Sequence, residues 1–334
     1  GVRSINKETN SGISSNDIHG LVSDNSGTLW IATYGGGICS FDGTNWNVYN
    51  TANSNLPVNQ IYHLTYDSSS NTIWGGTRYG GLVKFAINTG TWTTYDQMDG
   101  LTDDVIDDVA IAPNGDVWIA CRYDGVAKYN GSNFTYYTVS NSGIAGNDIY
   151  SINVDQSGRV WAGATTGLSV FDGVNWTNYT TTNSSITGNY IRQIEFDIYA
   201  NAWISTGGGG ILKFNGTTAW TSYNVSNSNI PSNMIWASSL TNSNSIWIST
   251  FGGGIARMDS LQNNDTLFTR LAFFPPVAPS VFTSVSNLTK AGADFNLYPN
   301  PAKDILTLKV AKLHRVEVLD VTGKIVYNEI CNGQ

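Results

Sequence analysis

The stretch SGTLWIATYGGGICSFDGTNWNVY, Ser26 to Tyr49, decides the fold, because it returns along the chain. Its copies are SNTIWGGTRYGGLVKFAINTGTWTTY from Ser70, NGDVWIACRYDGVAKYNGSNFTYY from Asn114, SGRVWAGATTGLSVFDGVNWTNY from Ser157, ANAWISTGGGGILKFNGTTAWTSY from Ala200 and NSIWISTFGGGIARMD from Asn244. The tryptophans at their centres, Trp30, Trp74, Trp118, Trp161, Trp203 and Trp247, are 44, 44, 43, 42 and 44 residues apart. A period of that length with strand-like content in every copy is the mark of a β-propeller, whose four-stranded blades need neighbours to bury their faces.

Within a copy the strands follow from turn chemistry. Each copy opens with an apolar run, such as Ile61 to Tyr66 or Ile106 to Ile111, and then passes through residues that favour turns, Asp24-Asn25-Ser26-Gly27 in the first copy and Pro113-Asn114-Gly115 in the third, before the Trp strand. A glycine-rich hairpin leads to a third run, Gly81 to Phe85 in the second copy. Asp42-Gly43, Asn130-Gly131, Asp172-Gly173 and Asn215-Gly216 then supply the positive-φ pairs of a tight hairpin before a fourth, aromatic strand. The recurring Trp is expected to fill the gap between blades, and the Asp before it (Asp24, Asp155) to bond turn backbone.

The repeat also resembles the two-component-regulator type of propeller. Asp24, Gly27, Leu29, Trp30, Ile31, Thr33, Gly36, Gly37 and Ile38 carry the likeness, which extends over about residues 18–260. That family often forms extracytoplasmic sensor parts, which implies a carbohydrate- or peptide-responsive module. After a Pro/Ser/Thr-rich linker, Leu297-Tyr298-Pro299-Asn300-Pro301-Ala302 and Asp320-Val321-Thr322-Gly323-Lys324 resemble the C-terminal sorting domain of the type IX secretion system of Bacteroidota. In that family further strands normally follow, so the segment is taken as a truncated domain. The likeness implies export through the periplasm to the cell surface or beyond, with the secretion machinery as a partner.

The expected organisation is an all-β chain: a propeller over 1–271, with repeats near 18–60, 61–105, 106–148, 149–190, 191–234 and 235–271, a linker over 272–293 and a partial, sandwich-like sorting fragment over 294–334. KETNSGISSNDI from Lys7 matches TVSNSGIAGNDI from Thr138, so the chain opens in the tail of a blade. Either residues 1–8 complete blade six by strand exchange, or blade six has its own fourth strand in Leu267 to Phe273. The second alternative is favoured, with six blades of a ring of seven or more represented.

Charged residues make up 13% of the chain, against about 25% in typical domains. The net charge is −8, with no Lys/Arg cluster, which argues against nucleic acid or anionic membrane as a partner. No stretch approaches the roughly 18 apolar residues of a membrane span. Cys39, Cys121 and Cys331 form no ligand or disulfide pattern and the first two are expected as buried thiols; no cofactor is implied.

Candidate chemistry is sparse. His19 and His63 share a phase on neighbouring first strands, but no carboxylate recurs beside them in sequence. Asp103, Asp104, Asp107 and Asp108 could hold Ca²⁺ or supply a glycosidase pair; a solvated loop is the plainer expectation. The irregular positions lie on the hairpin after each Trp strand, where all blades converge at the channel mouth: Tyr34, Arg78-Tyr79, Arg122-Tyr123-Asp124, Thr165-Thr166, Gly207-Gly208 and Phe251. Aromatic faces stack on sugars or peptide side chains and Arg forks bind carboxylates, so Tyr34, Arg78, Tyr79, Arg122, Tyr123, Asp124 and Phe251 are the candidate ligand-binding residues. A non-catalytic exported module that binds a glycan or a peptide or protein is the leading expectation. A propeller polysaccharide lyase or glycosidase, and the sensor ectodomain of a two-component system, stay open as alternatives.

Overall fold

The computed structural model describes residues 8–241, 245–258, 269–271, 316–319 and 325–329. It divides into two compact units, Gly1–Leu271 and Ala272–Gln334. In the first, 24 strands form six four-stranded antiparallel sheets in simple sequence order, which is a β-propeller of six blades. Blade one is Ile18–Ser23, Leu29–Thr33, Gly37–Phe41 and Trp46–Tyr49. The first strands of the next five begin at Ile61, Ile106, Ile149, Ile191 and Ile235. A 3₁₀ turn at Gln97–Asp99 is the one helical element among the described residues.

Successive blades pack through five apolar clusters, one per interface. Between blades four and five, Trp161 and Leu168 meet Ile191, Ile194, Ile204 and Phe214; between five and six, Trp203 and Ile211 meet Ile235, Ile246 and Ile248. Trp30, Trp74, Trp118, Trp161 and Trp203 are all buried there. Burying an aromatic of this size contributes a few kcal/mol each, about 2–3 on area grounds.

The Trp is also tied to its own turn. Asp24, Asp155 and Asp197 each take the indole N–H of the Trp six residues on, at 2.9, 3.0 and 3.0 Å, while the other carboxylate oxygen accepts turn backbone N–H groups. Blade two differs. One inserted residue puts Asp67 seven positions before Trp74, Asp67 bonds Ser69 and Ser70 instead, and the Trp74 indole N–H is buried without a partner. The hairpin glycines have a steric origin: Gly81 has φ 71°, and a Cβ there would collide with the carbonyl oxygen of Tyr95.

The fourth position of blade six is filled by Thr269–Leu271, paired with the third strand Gly254–Met258. A fourth strand of blade six's own is the second of the two alternatives; residues 1–7 of the first lie outside the described residues. The first strands of blades one to six lie side by side in succession, and no such pairing links blade six back to blade one among the described residues. Accordingly Ile18 and Leu21 are 43% and 59% exposed, whereas their counterparts Ile191 and Ile194 are buried. Trp247 of blade six is likewise only half-buried. In the second unit the described residues form one antiparallel hairpin, Val316–Leu319 with Ile325–Glu329; the linker 272–293 and the Leu297–Ala302 motif lie outside the described residues.

The Asp–Trp tie leads to a graded expectation. Asp197→Ala strands the buried Trp203 indole and two backbone N–H groups and is expected to cost about 3 kcal/mol, lowering the propeller's Tm by about 6–12 °C. Asp67→Ala should lower it by about 3 °C or less, since its partners are exposed serines. Calorimetry on both variants checks the order; equal losses would contradict a structural role for the indole bond.

Candidate functional site

Two positions of every blade converge at one end of the channel. The first is the residue after each Trp strand: Tyr34, Arg78, Arg122, Thr165, Gly207 and Phe251. In blades one, two and five it is bridged to the connector entering the next blade, Tyr34 to Gln60, Arg78 to Val105 and Gly207 to Met234. The second is the residue after the Ile that opens each first strand: His19, Tyr62, Asp107, Tyr150, Arg192 and Trp236. The strand register shifts there in all six blades, and the bulge turns this side chain toward the mouth.

Together they form a belt of aromatic and guanidinium groups. The rings of His19 and Tyr34 stack at 5.4 Å, with Tyr62 at 5.5 Å from His19. Arg78 donates to the Tyr34 hydroxyl and lies 5.1 Å from the Tyr79 ring centre. Arg122 donates to Asp107 Oδ1 at 2.6 Å and lies over Tyr150 at 4.1 Å. Tyr150 meets Tyr190 edge to face at 4.8 Å, and Arg192 bonds the Tyr190 hydroxyl at 2.7 Å. The Arg192 guanidinium lies 3.9 Å from the Trp236 ring centre, and Trp236 is 6.2 Å from Phe251.

Of the residues singled out in the sequence, Tyr34, Arg78, Arg122 and Phe251 sit in this belt. Tyr79 and Tyr123 project from the hairpin tips, both exposed. Asp124 bonds Thr102 and lies near Asp103, and burial followed by that neighbouring charge raises its pKa. His19 and Asp107, considered above for other chemistry, belong to the belt too, and the members missed from sequence are the bulge residues Tyr62, Tyr150, Arg192 and Trp236, with Tyr190. The four bulge residues vary at the position after the repeated Ile, but only the register shift seen in the structure shows that this position faces the mouth.

The acidic cluster is not a solvated loop. Asp103 is buried and accepts the backbone N–H groups of Val105 and Tyr123, at 2.9 and 2.7 Å. Asp107 is consumed by Arg122; burial pushes its pKa up to about 6, against the pull of that guanidinium. Asp108 is buried, accepts the Ile152 N–H from blade four, and lies 3.2 Å from His63 Nε2 of blade two. His63 therefore does have a carboxylate beside it. The sequence hid this because the two residues are 45 positions apart and meet only across a blade interface. No group of three or more metal-ligating side chains occurs among the described residues.

On the first strand of blade five, Glu195 accepts from Gln193 at 2.9 Å, and burial, with the Asp108 charge adding to it, pushes its pKa up to about 7. A carboxyl raised on folding favours the fold in its protonated form, so its contribution falls as pH rises from about 4.5 to 7. Glu195→Gln is therefore expected to be more stable than the parent at pH 8 by about 1–3 kcal/mol and equal to it near pH 4, as urea titrations at both pH values would show.

Tyr79 adds a backbone observation. Its φ is 68°, in the left-handed region where blades one and six carry Gly35 and Gly252. A Tyr costs about 1–2 kcal/mol there, yet its ring is 64% exposed. Tyr79→Gly is expected to raise stability by about 1 kcal/mol in urea titration; a loss would mean that the contact with Arg78 holds the hairpin.

The comparisons with known proteins agree with this architecture. Residues 12–35 match the model of the Two component regulator propeller, and residues 296–334 that of the Secretion system C-terminal sorting domain. No curated protein matches the chain. Among solved structures it is similar to the extracellular domain assigned to the hybrid two component system BT3049 from B. thetaiotaomicron (22% identity, 78% of this chain and 36% of that one, TM-score 0.64). It is similar to PorZ, a surface component of the type-IX secretion system of Porphyromonas gingivalis (18%, 72% and 38%, 0.57), and to virginiamycin B lyase from Staphylococcus aureus (15%, 76% and 83%, 0.61). The chain spans a little over a third of the length of the first two.

The chain is thus a six-bladed β-propeller in which residues 12–35 match the two component regulator propeller. The sorting domain marks it as an exported protein, destined for the cell surface or secretion and handled by the secretion machinery. No helix among the described residues is long and apolar enough to cross a membrane.

Proposed function

We propose that the chain is an exported recognition module that binds a glycan or protein ligand, without turning it over, at the channel mouth. One observation carries this: the repeat keeps its core while its two mouth positions diverge into a continuous belt of rings and guanidinium groups from His19 to Phe251. Stability alone does not call for exposed Trp236, Phe251 and Tyr79 at one end of the channel, and convergent aromatic and Arg side chains are what binding surfaces are made of. A recess of about 460 Å³ on the rim, lined by Tyr49, Asn53, Trp92 and their neighbours, lies away from this belt and is built of repeat residues that pack the same way in other blades.

Thermal unfolding against a panel of neutral and acidic polysaccharides and peptides tests the proposal. A ligand at about 100 times its Kd adds roughly 2.7 kcal/mol, a Tm shift of several degrees. The shift is expected to vanish in the double variant Arg78→Ala, Trp236→Ala and to survive Val174→Ser on the outer hairpin. A shift unaffected by the double variant would move the site elsewhere.

A second possibility, a polysaccharide lyase, rests on His63 and Asp108. Asp108 is held by two backbone N–H groups and faces a His that is about a third exposed, an arrangement suited to an oriented general base. Cleavage of any panel polysaccharide that His63→Ala abolishes would establish that activity in place of simple recognition.

A further inference from the structure

The arginines at the mouth are not equivalent. Arg122 is neutralised by Asp107, so it holds Tyr150 in place and has little left for a ligand. Arg78 has two phenols as partners, Tyr34 and Tyr79, and stands at the exposed edge of the belt. Arg192 is held by aromatic side chains and, like Arg78, has no carboxylate beside it. Its Nη1 donates to the Tyr190 hydroxyl, its plane lies on Trp236, its Nε is buried without a hydrogen-bond partner, and no carboxylate among the described residues pairs with it. A half-buried guanidinium without an anion has lost hydration that no protein charge restores.

The surroundings of Arg192 are built to hold it. Tyr150 and Tyr190 brace it at 5.9 and 5.1 Å from their ring centres. Gly207, where blades two and three carry Arg, is what admits Tyr190, since a Cβ there would come within 2.6 Å of that ring. Next to it Trp236, 53% exposed, and Phe251 offer open aromatic surface. Gly207 is bridged to Met234, so the hairpin beside the pocket presents no free strand edge for an extended peptide.

We propose that Arg192, with Tyr190, Trp236 and Phe251, forms a carboxylate-binding subsite for an acidic polysaccharide: the guanidinium takes the carboxylate of a uronic acid unit, and the sugar rings lie against Trp236 and Phe251. This rests on the recognition role proposed above and specifies its ligand class. The chain as a whole carries −8, so attraction at this point is local and aimed at a carboxylate, not a general pull on polyanions.

Isothermal titration with oligogalacturonate, oligoguluronate and hyaluronan oligosaccharides, and with carboxyl-reduced oligogalacturonate, tests the subsite on the full chain. At least one uronate is expected to bind, with its carboxyl-reduced form at least ten-fold weaker where that comparison applies. Arg192→Gln is expected to weaken uronate binding ten-fold or more at unchanged Tm, and Arg192→Lys to restore part of it. Arg122→Gln should act mainly through a lowered Tm. Binding that is indifferent to the carboxylate, or to Arg192, overturns the uronate subsite while leaving a recognition module in place, as would binding of an acidic peptide alone. Absence of binding by every uronate overturns the subsite. If neutral glycans and peptides also fail to bind, the recognition role falls with it.

Discussion

Each of the first five blades depends on one buried tryptophan seen from two sides. Its ring fills the interface with the next blade, and in three blades its indole N–H is fixed by the turn Asp six residues upstream. The ring sets how closely neighbouring blades approach, and the bond sets the phase of the second strand against its turn. With that phase fixed, the residue following the Trp strand always emerges at the channel mouth. Where the spacing slips by one, between Asp67 and Trp74, the indole bond is lost and the ring is still buried, so burial is the larger of the two constraints.

That constraint leaves two positions per blade free to vary without disturbing the core, and the mouth is built from them. The charge balance there separates groups that look alike. Arg78 and Arg122 occupy the same repeat position, but Asp107 lies beside Arg122, whereas Arg78 meets only phenols. Arg192 comes from the other variable position and faces Trp236 in place of an acid. The same logic accounts for three of the four aspartates of residues 103–108: Asp103 caps a hairpin, Asp107 neutralises an arginine and Asp108 bridges to His63 and the next blade.

The propeller was legible because its period, its turn residues and its tryptophans repeat, and each repeat restates the same local chemistry. The hairpin members of the belt, Tyr34, Arg78, Arg122 and Phe251, were legible as well, since the glycines around them mark where the strand ends. The bulge members were not. Tyr62, Tyr150, Arg192 and Trp236 sit inside runs that read as plain alternating strands, and a one-residue shift of register decides which way such a side chain points. Contacts between blades were equally hidden: His63 and Asp108 look unrelated until the fold sets adjacent first strands side by side. Blade six's own fourth strand could be anticipated only as one of two alternatives, because the sequence offers a completing segment at either end of the propeller.

A crystal structure of the chain with a bound galacturonate oligosaccharide tests the central claim, that the divergent mouth positions form a single recognition surface. The expected density is a sugar ring against Trp236 with its carboxylate in hydrogen-bond contact with Arg192. Density confined to the rim recess at Tyr49 and Trp92, or an Arg192 paired instead with a protein carboxylate, would contradict it.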